Sequence, residues 1–405
     1  MDLAEAKRLS IKAVEELAPV LKATSREIHG HPELGFQEVK ASGLLADRLE
    51  QGGFAVRRGV SDMPTAFVAS WPPGGEGPTV ALLAEYDALP GVGHGCGHNI
   101  IGTAAVGAGL AVASLGSQLP GRVLVIGCPA EEGGVDGAGG KVRLLEAGVF
   151  AGVDAALMIH PGTIDAPSGH SSCRLALEVS FQGKTAHAAG SPHEGINALE
   201  GVIQTFNAIN ALRQHLPGSV RVHGVVARGG EAPNVVPDDG QIRLYVRAPS
   251  LPDLEVAAER VRNCARGAAM ATGCRLTFRE FARTYVDLVA NGPLEETFER
   301  NLAALGRALS PRVESARGTG STDMGNVSHV IPAIHPYVAI GERLGGPTPH
   351  SREFAAASIS ERGEECLIVA AKALAMTALD LLLSPKTLEA VKQAGPRPEA
   401  RRGSR

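Results

Sequence analysis

Three short apolar runs constrain this chain most: residues 78–84 (PTVALLA), 122–127 (RVLVIG) and 155–159 (AALMI). Each has the length of a buried strand rather than of a helix. Helical stretches lie between them, at 100–115 and 141–148, the first built largely from Gly, Ala and Val. Strands separated by helices pair in parallel, because the crossover takes a helix's length. The expected fold is therefore α/β, a mostly parallel sheet sandwiched by helices. Helical spacing also marks residues 2–22 and 41–51, with a turn-rich stretch at 29–35 between them.

The rhythm changes near residue 170. Residues 174–181 alternate apolar and polar, 199–212 and 254–271 read as helices, and 220–227, 241–246 and 275–281 read as strands. Four alternating strands and two helices point to an inserted α+β lid or dimerisation domain over 171–287. The catalytic domain is then 1–170 and 288–385. The stretch 386–405 holds six basic and two acidic residues and is expected to be a disordered tail.

Composition excludes several classes. Lys plus Arg number 39 against 43 Asp plus Glu, for a formal charge of −4, which is not the footprint of a nucleic-acid binder. The 44% hydrophobic share is that of a globular chain. The N-terminus is amphipathic and lacks the continuous apolar stretch of a signal peptide. Residues 100–115 are too short and too rich in Gly and Ala to read as a membrane span. Six cysteines are scattered without a CxxC pair. The expectation is a soluble cytoplasmic protein with free thiols, without nucleic-acid or membrane partners.

Four polar clusters sit just past expected strands, where open α/β sheets place their sites. The first, residues 85–99 (EYDALPGVGHGCGHN), interleaves His94, Cys96 and His98 with glycine. Glycine lets one loop bring several side chains to a point, and thiol with imidazole suits a borderline-soft divalent metal. The bland alternative is a tight turn with incidental histidines. The second is Glu131-Glu132, two carboxylates at the end of a strand. Such pairs are mostly solvated surface, but here a dication would hold one as ligand and leave the other as general base. His160 follows the third run, and His350 lies in TPHSREF; either alone reads as structural. Together Cys96, His98, Glu132, His160 and His350 exceed what one tetrahedral catalytic zinc takes. They suit two metals roughly 3.5–4 Å apart. Glu131 would then take a proton from water and pass it to the leaving amine.

These residues resemble the aminoacylase, carboxypeptidase G and amidohydrolase family of dinuclear metallopeptidases over about residues 20–380. Residues 26–38 (REIHGHPELGFQE) resemble that family's RxxHxxPELxxxE signature. Residues 87–90 resemble its DALP, 94–98 its HxCGH and 129–132 its PAEE. EYDALP, GGEAPNVVP at 229–237, RAP at 247–249, GSTDMGNVS at 320–328 and IHPY at 334–337 narrow the likeness. They point to the branch holding the p-aminobenzoyl-glutamate hydrolase B-type subunit and the β-alanyl-lysine dipeptidase.

The resemblance implies that Cys96 bridges two divalent ions, with His98, Glu132, His160 and His350 completing the sites. It makes Glu131 the base and has Asp87 orient a ligand from behind. His187 would stabilise the oxyanion, and Asn234 and Arg247, with Ser321 and Thr322 in the pocket, would hold the free carboxylate of a small substrate. A homodimer through the inserted domain is implied as well. Zinc or manganese come first as metals, then cobalt or nickel. One departure stands at residue 85: most of the superfamily carries a histidine ligand there, and here it is Glu85, whose contact with metal is left open. His29, His31, His223 and His335 read as structural, His94 as a neighbour of the ligands, and Cys128 as a small buried hydrophobe.

The function so implied is metal-dependent hydrolysis of the amide bond of small N-acyl amino acids or dipeptides, by metal-activated water with Glu131 as base. Two alternatives stand beside it: a non-catalytic binding subunit on the same scaffold, and hydrolysis of another amide or amine with the same metals.

Overall fold

The computed structural model describes residues 1–116, 119–310, 320–340 and 348–396. They fall into two compact units. One comprises Met1–His170 with the described parts of Leu288–Glu314 and Asp323–Arg405; the other comprises Ser171–Asp287 with those of Ser315–Thr322.

The first unit is built on a six-stranded sheet in the order Ala55–Arg58, Phe67–Trp71, Arg122–Cys128, Thr79–Glu85, Ala155–Leu157, Ala333–Ile334. The first two pairings are antiparallel and the other three parallel. The sheet is thus parallel-rich, with an antiparallel edge that the apolar runs do not announce. Thr79–Glu85 is buried at every residue, as expected of a central strand covered on both faces. The helix His98–Ala113 packs on it, beneath the helices Leu3–Gly30 and Glu361–Leu383. Glu361–Leu383 is long and apolar enough to cross a membrane by length and composition, yet 78% of its most apolar window is buried in the fold. It is a core helix of this unit.

Three local expectations are corrected. The first helix does not stop at residue 22 but runs over Pro19 to Gly30, its buried face continuing through Leu21, Thr24, Ser25 and Ile28. The third apolar run ends as a strand at Leu157, and His160–Gly162 forms a separate short strand parallel to Tyr337–Ala339. The tail expected to be disordered from 386 begins instead as a helix, Pro385–Gln393. Ser384 caps it, Pro385 suits its first turn, and Leu388 and Val391 are buried. Residues 397–405 lie outside the described ones.

The second unit is an antiparallel four-stranded sheet in the order Arg275–Glu280, Cys173–Gln182, Asp239–Ala248, Arg221–Arg228. The helices Ala198–Leu212 and Leu251–Thr272 pack against the two central strands and close a core that includes Leu177, Val179, Val202, Ile242 and Val261.

Candidate metal centre

Two strands of the first unit end level, Glu85 opposite Cys128, and Ala155–Leu157 ends three residues earlier, with Leu157 opposite Leu82. The residues just beyond these ends are Asp87, Glu131, Glu132 and His160, so strand register alone brings them to one edge of the sheet. The loop after Thr79–Glu85 returns into the helix His98–Ala113 through Gly97, whose φ is +79° and whose added Cβ would sit 2.5 Å from Pro161 Cγ. Only glycine meets both demands. His350 reaches the same place from a distant segment, and its N–H donates to the Gly95 carbonyl at 2.7 Å.

Among the described residues, donor atoms converge in four sets within 4.8 Å: Cys96, His98 and His160; Cys96, Glu132 and His350; His98, Glu131 and Glu132; and Glu85, Glu131 and Asp323. Cys96 is common to the first two. Its Sγ lies 3.3 Å from His160 Nε2 and 3.5 Å from His350 Nε2. Partners on the far side of each ring set the tautomers. His160 Nδ1 is 2.7 Å from the Pro161 carbonyl, which only accepts, so Nδ1 carries the proton and Nε2 turns its lone pair toward Cys96. His98 Nδ1 donates in the same way to Asp87 Oδ1 at 2.9 Å. The other Asp87 oxygen accepts the Glu132 N–H at 3.0 Å, so one carboxylate orients two of the donors.

The electrostatics call for a cation. His98 Nε2 and Glu132 Oε1 are buried and make no hydrogen bond, which is costly for polar atoms, although His98 Nε2 lies 3.4 Å from Glu85 Oε2 and 3.8 Å from Glu132 Oε1. Burial, then the charge of Glu132, pushes the Cys96 thiol well above its ordinary value. Burial also raises Glu132 to about 7, against the pull of His98. A thiol, three imidazoles and paired carboxylates, with Cys96, His98 and Glu131 buried and His350 exposed, are the donors that a borderline divalent ion takes, so these residues fit a metal centre. Glu131 is buried beside them, and burial, then Glu85, Asp323 and Glu132, pushes its carboxyl well up.

Sequence reasoning missed Lys141 and Asp323. Lys141 is fully buried, and its ammonium donates to Glu85 Oε1 and Asp323 Oδ1. Its backbone N–H donates to Asp323 Oδ2 at 2.9 Å. Burial alone would raise Glu85, but Lys141, then His98, outweigh it and hold the carboxyl at about 2. Glu85 is therefore the ionised partner of a lysine, with Oε2 3.4 Å from His98 Nε2. Glu85, Glu131 and Asp323 also converge closely enough to hold a metal, but the Lys141 ammonium already bonds two of the three. The legible signal was that carboxylates at the ends of buried strands need a cation, and Lys141 opens the next buried turn.

The remaining singled-out residues belong to the second unit. Arg247 Nη1 donates to Ser321 Oγ at 2.7 Å, and its Nε to His223 Nε2 at 3.3 Å, with the guanidinium 5.6 Å from the Tyr245 ring centroid. Thr322, next to Ser321, is buried. The segments of His187 and Asn234 are joined: the Ala188 N–H donates to the Asn234 carbonyl at 3.0 Å, and His187 bridges to Val235. His187 Nδ1 accepts from the Ala189 and Gly190 N–H groups. Of the histidines read as structural, His29 Nε2 bonds the Ala355 carbonyl, and His335 is buried with its ring 5.4 Å from that of His160.

Residues 81–379 match the profile of Peptidase family M20/M25/M40. The whole chain is similar to the Xaa-Arg dipeptidase of Mus musculus, 38% identical over 400 residues that cover 96% of this chain and 91% of that one. It is 37% identical over 305 residues to the B-type subunit of p-aminobenzoyl-glutamate hydrolase from Escherichia coli (strain K12), covering 69% of this chain and 61% of that one. Among solved structures, the aminobenzoyl-glutamate utilization protein from Klebsiella pneumoniae superposes with a TM-score of 0.74 at 22% identity, over 95% of this chain and 100% of that one. The Bacillus subtilis YXEP protein, described as a dinuclear metal binding peptidase, gives 0.65 at 24% identity over 91% of this chain and 99% of that one.

Proposed function

The chain belongs to Peptidase family M20/M25/M40, and from that premise we propose that it hydrolyses the amide bond of dipeptides or small N-acyl amino acids with Glu131 as general base. The observation that carries the proposal is Cys96, whose Sγ stands between His160 Nε2 at 3.3 Å and His350 Nε2 at 3.5 Å and belongs to two donor sets, as His98 and Glu132 also do. That sharing is what a bridging ligand of two ions requires. Cys96, His98, Glu132, His160 and His350 would hold the pair. Bound there, two divalent ions, zinc or manganese before cobalt or nickel, would polarise the scissile carbonyl and acidify a water.

The chain's own residues do the rest. Asp87 keeps His98 in the tautomer whose Nε2 faces the donors. Glu131, buried among carboxylates, accepts the proton of the attacking water and returns it to the departing amine. A carboxyl pushed up in pKa suits both halves of that exchange. In the second unit, His187 is assigned to the tetrahedral oxyanion. Arg247, Asn234, Ser321 and Thr322 are assigned to the substrate's free carboxylate. Ser321 and His223 pre-orient the Arg247 fork, which favours bidentate recognition.

The inserted unit also supports a homodimer. Arg221–Arg228 is an edge strand of its sheet, exposed at every residue but Val222, with Val225 and Val226 62% and 52% exposed. An apolar uncovered edge is a template for a second copy. The six free cysteines support a reducing, cytoplasmic setting.

The test is hydrolysis of a panel of Xaa-Arg dipeptides, other dipeptides and N-acyl amino acids. A chelator should abolish turnover, and added zinc or manganese should restore it. Glu131→Gln should lower kcat by roughly 10²–10⁴-fold while the ions stay bound. Near-normal turnover in that variant would remove Glu131 from its role.

A further inference from the structure

The chemistry above leaves residues 26–38 unused, yet that signature reaches the base. Glu38 is fully buried. Its Oε1 accepts the Ala130 N–H at 2.8 Å, 92 positions away, and its Oε2 accepts the Thr65 hydroxyl at 2.9 Å. Thr65 is fixed in turn, because the Tyr86 hydroxyl donates to its carbonyl at 2.6 Å. Ala130 needs holding: its φ is +55°, a left-handed conformation that is unfavourable for a residue with a Cβ. Gly35, from the same signature, packs against it, and a Cβ on Gly35 would lie 2.8 Å from that of Ala130.

The kink at Ala130 immediately precedes Glu131. On the other side of Glu131, the Glu132 N–H donates to Asp87. The base is thus flanked by two amides, each tied to a buried carboxylate. The two ties differ. Asp87 also holds His98, so it serves the donor set. The side-chain hydrogen bonds of Glu38 go to Thr65 and Ala130 and aim the chain on the Glu131 side.

We propose that Glu38 is a positioning residue for Glu131, holding the left-handed turn at Ala130 so that the base faces the metal centre. The inference rests on Glu131 being the base. Removing the Glu38 carboxyl lets Ala130 relax toward ordinary φ and swings Glu131 away, whereas the donors stay anchored through Asp87.

The experiment compares Glu38→Ala, Glu38→Gln and Asp87→Ala with wild type in kcat, KM, bound metal and hydrogen exchange of the peptide covering residues 129–133. Glu38→Ala should lose ~10–100-fold in kcat, with KM and metal content unchanged and exchange of that peptide accelerated. Glu38→Gln keeps an oxygen that accepts from Ala130 and should stay near wild type in all four readings. Asp87→Ala should lose metal. If Glu38→Ala does not fold, Thr65→Val, which removes one bond to Glu38, should show the same pattern at smaller size. Wild-type kcat and exchange with only a lowered Tm would overturn the proposal. So would loss of metal in step with kcat, as in Asp87→Ala. If wild type turns over nothing in the panel, the base assignment fails, and the exchange reading alone decides whether Glu38 holds this turn.

Discussion

A lysine with no exposed surface has to be explained by its neighbours. Lys141 sits between Glu85 and Asp323, each itself no more than 1% exposed. One ammonium thus offsets two ionisable carboxyls beside the donor cluster. Lys141→Met keeps most of the volume and strands those carboxyls in a dry interior. Breaking a buried ion pair from one side costs about 3–5 kcal/mol, and urea denaturation of Lys141→Met should show a loss of that size. Adding Glu85→Gln and Asp323→Asn should recover part of it. A loss under about 1 kcal/mol would mean that the carboxyls simply take up protons. The residue scale also shows where sequence reading stops. Cys96, His98, Glu131 and Glu132 were legible because glycine-spaced or paired reactive residues directly follow apolar strands. Lys141, Asp323 and Glu38 were not. Lys141 is a single charged residue with no local pattern, Asp323 and Glu38 stand inside motifs that named no role for them, and the bonds of the three span 56, 182 and 92 positions. Only the folded sheet edge makes them neighbours.

At the scale of elements, the inserted sheet is laced across three strands by one carboxylate. Glu178 on Cys173–Gln182 accepts both Nε and Nη2 of Arg279 at 2.9 and 2.8 Å, and Nε of Arg243 at 2.9 Å. The Arg279 hydrogen bond, then those of Arg243, pull its carboxyl below the ordinary 4.5 despite burial. A depressed acid stabilises the fold above its unfolded value and loses that contribution as pH falls through its folded value. Glu178→Gln should therefore destabilise the protein at pH 7, by roughly 1–3 kcal/mol from the charged hydrogen bonds. The gap between variant and wild type should close progressively below about pH 4.5 in urea unfolding. A gap independent of pH would show that the ionised carboxylate is not what matters. The alternating strands of this sheet were easy to read, since one face is buried and one is not. Ala55–Arg58, Ala333–Ile334 and Tyr337–Ala339 were not, because two to four residues carry no period. The first helix was read through Pro19 but only to residue 22, because its buried face beyond that point is Thr24, Ser25 and Ile28, two of them polar.

For the whole molecule, the plan is a parallel-rich metal-binding unit interrupted by an antiparallel one. That plan was legible from where the hydrophobic rhythm switched from buried runs to alternation. What it leaves uncovered is the Arg221–Arg228 edge. Sedimentation equilibrium should give a dimer for wild type and a monomer for Val225→Lys/Val226→Lys, since charge on an edge strand blocks pairing; a monomeric wild type would end the dimer reading. The metal centre turns on the thiolate shared at Cys96, and metal analysis of purified wild type, Cys96→Ala and Glu132→Ala measures that sharing. Wild type should hold about two divalent ions per chain, and both variants should lose them with the fold intact by circular dichroism. A folded wild-type protein that takes up no metal after reconstitution, or a Cys96→Ala variant that keeps both ions, would contradict a metal centre bridged by Cys96.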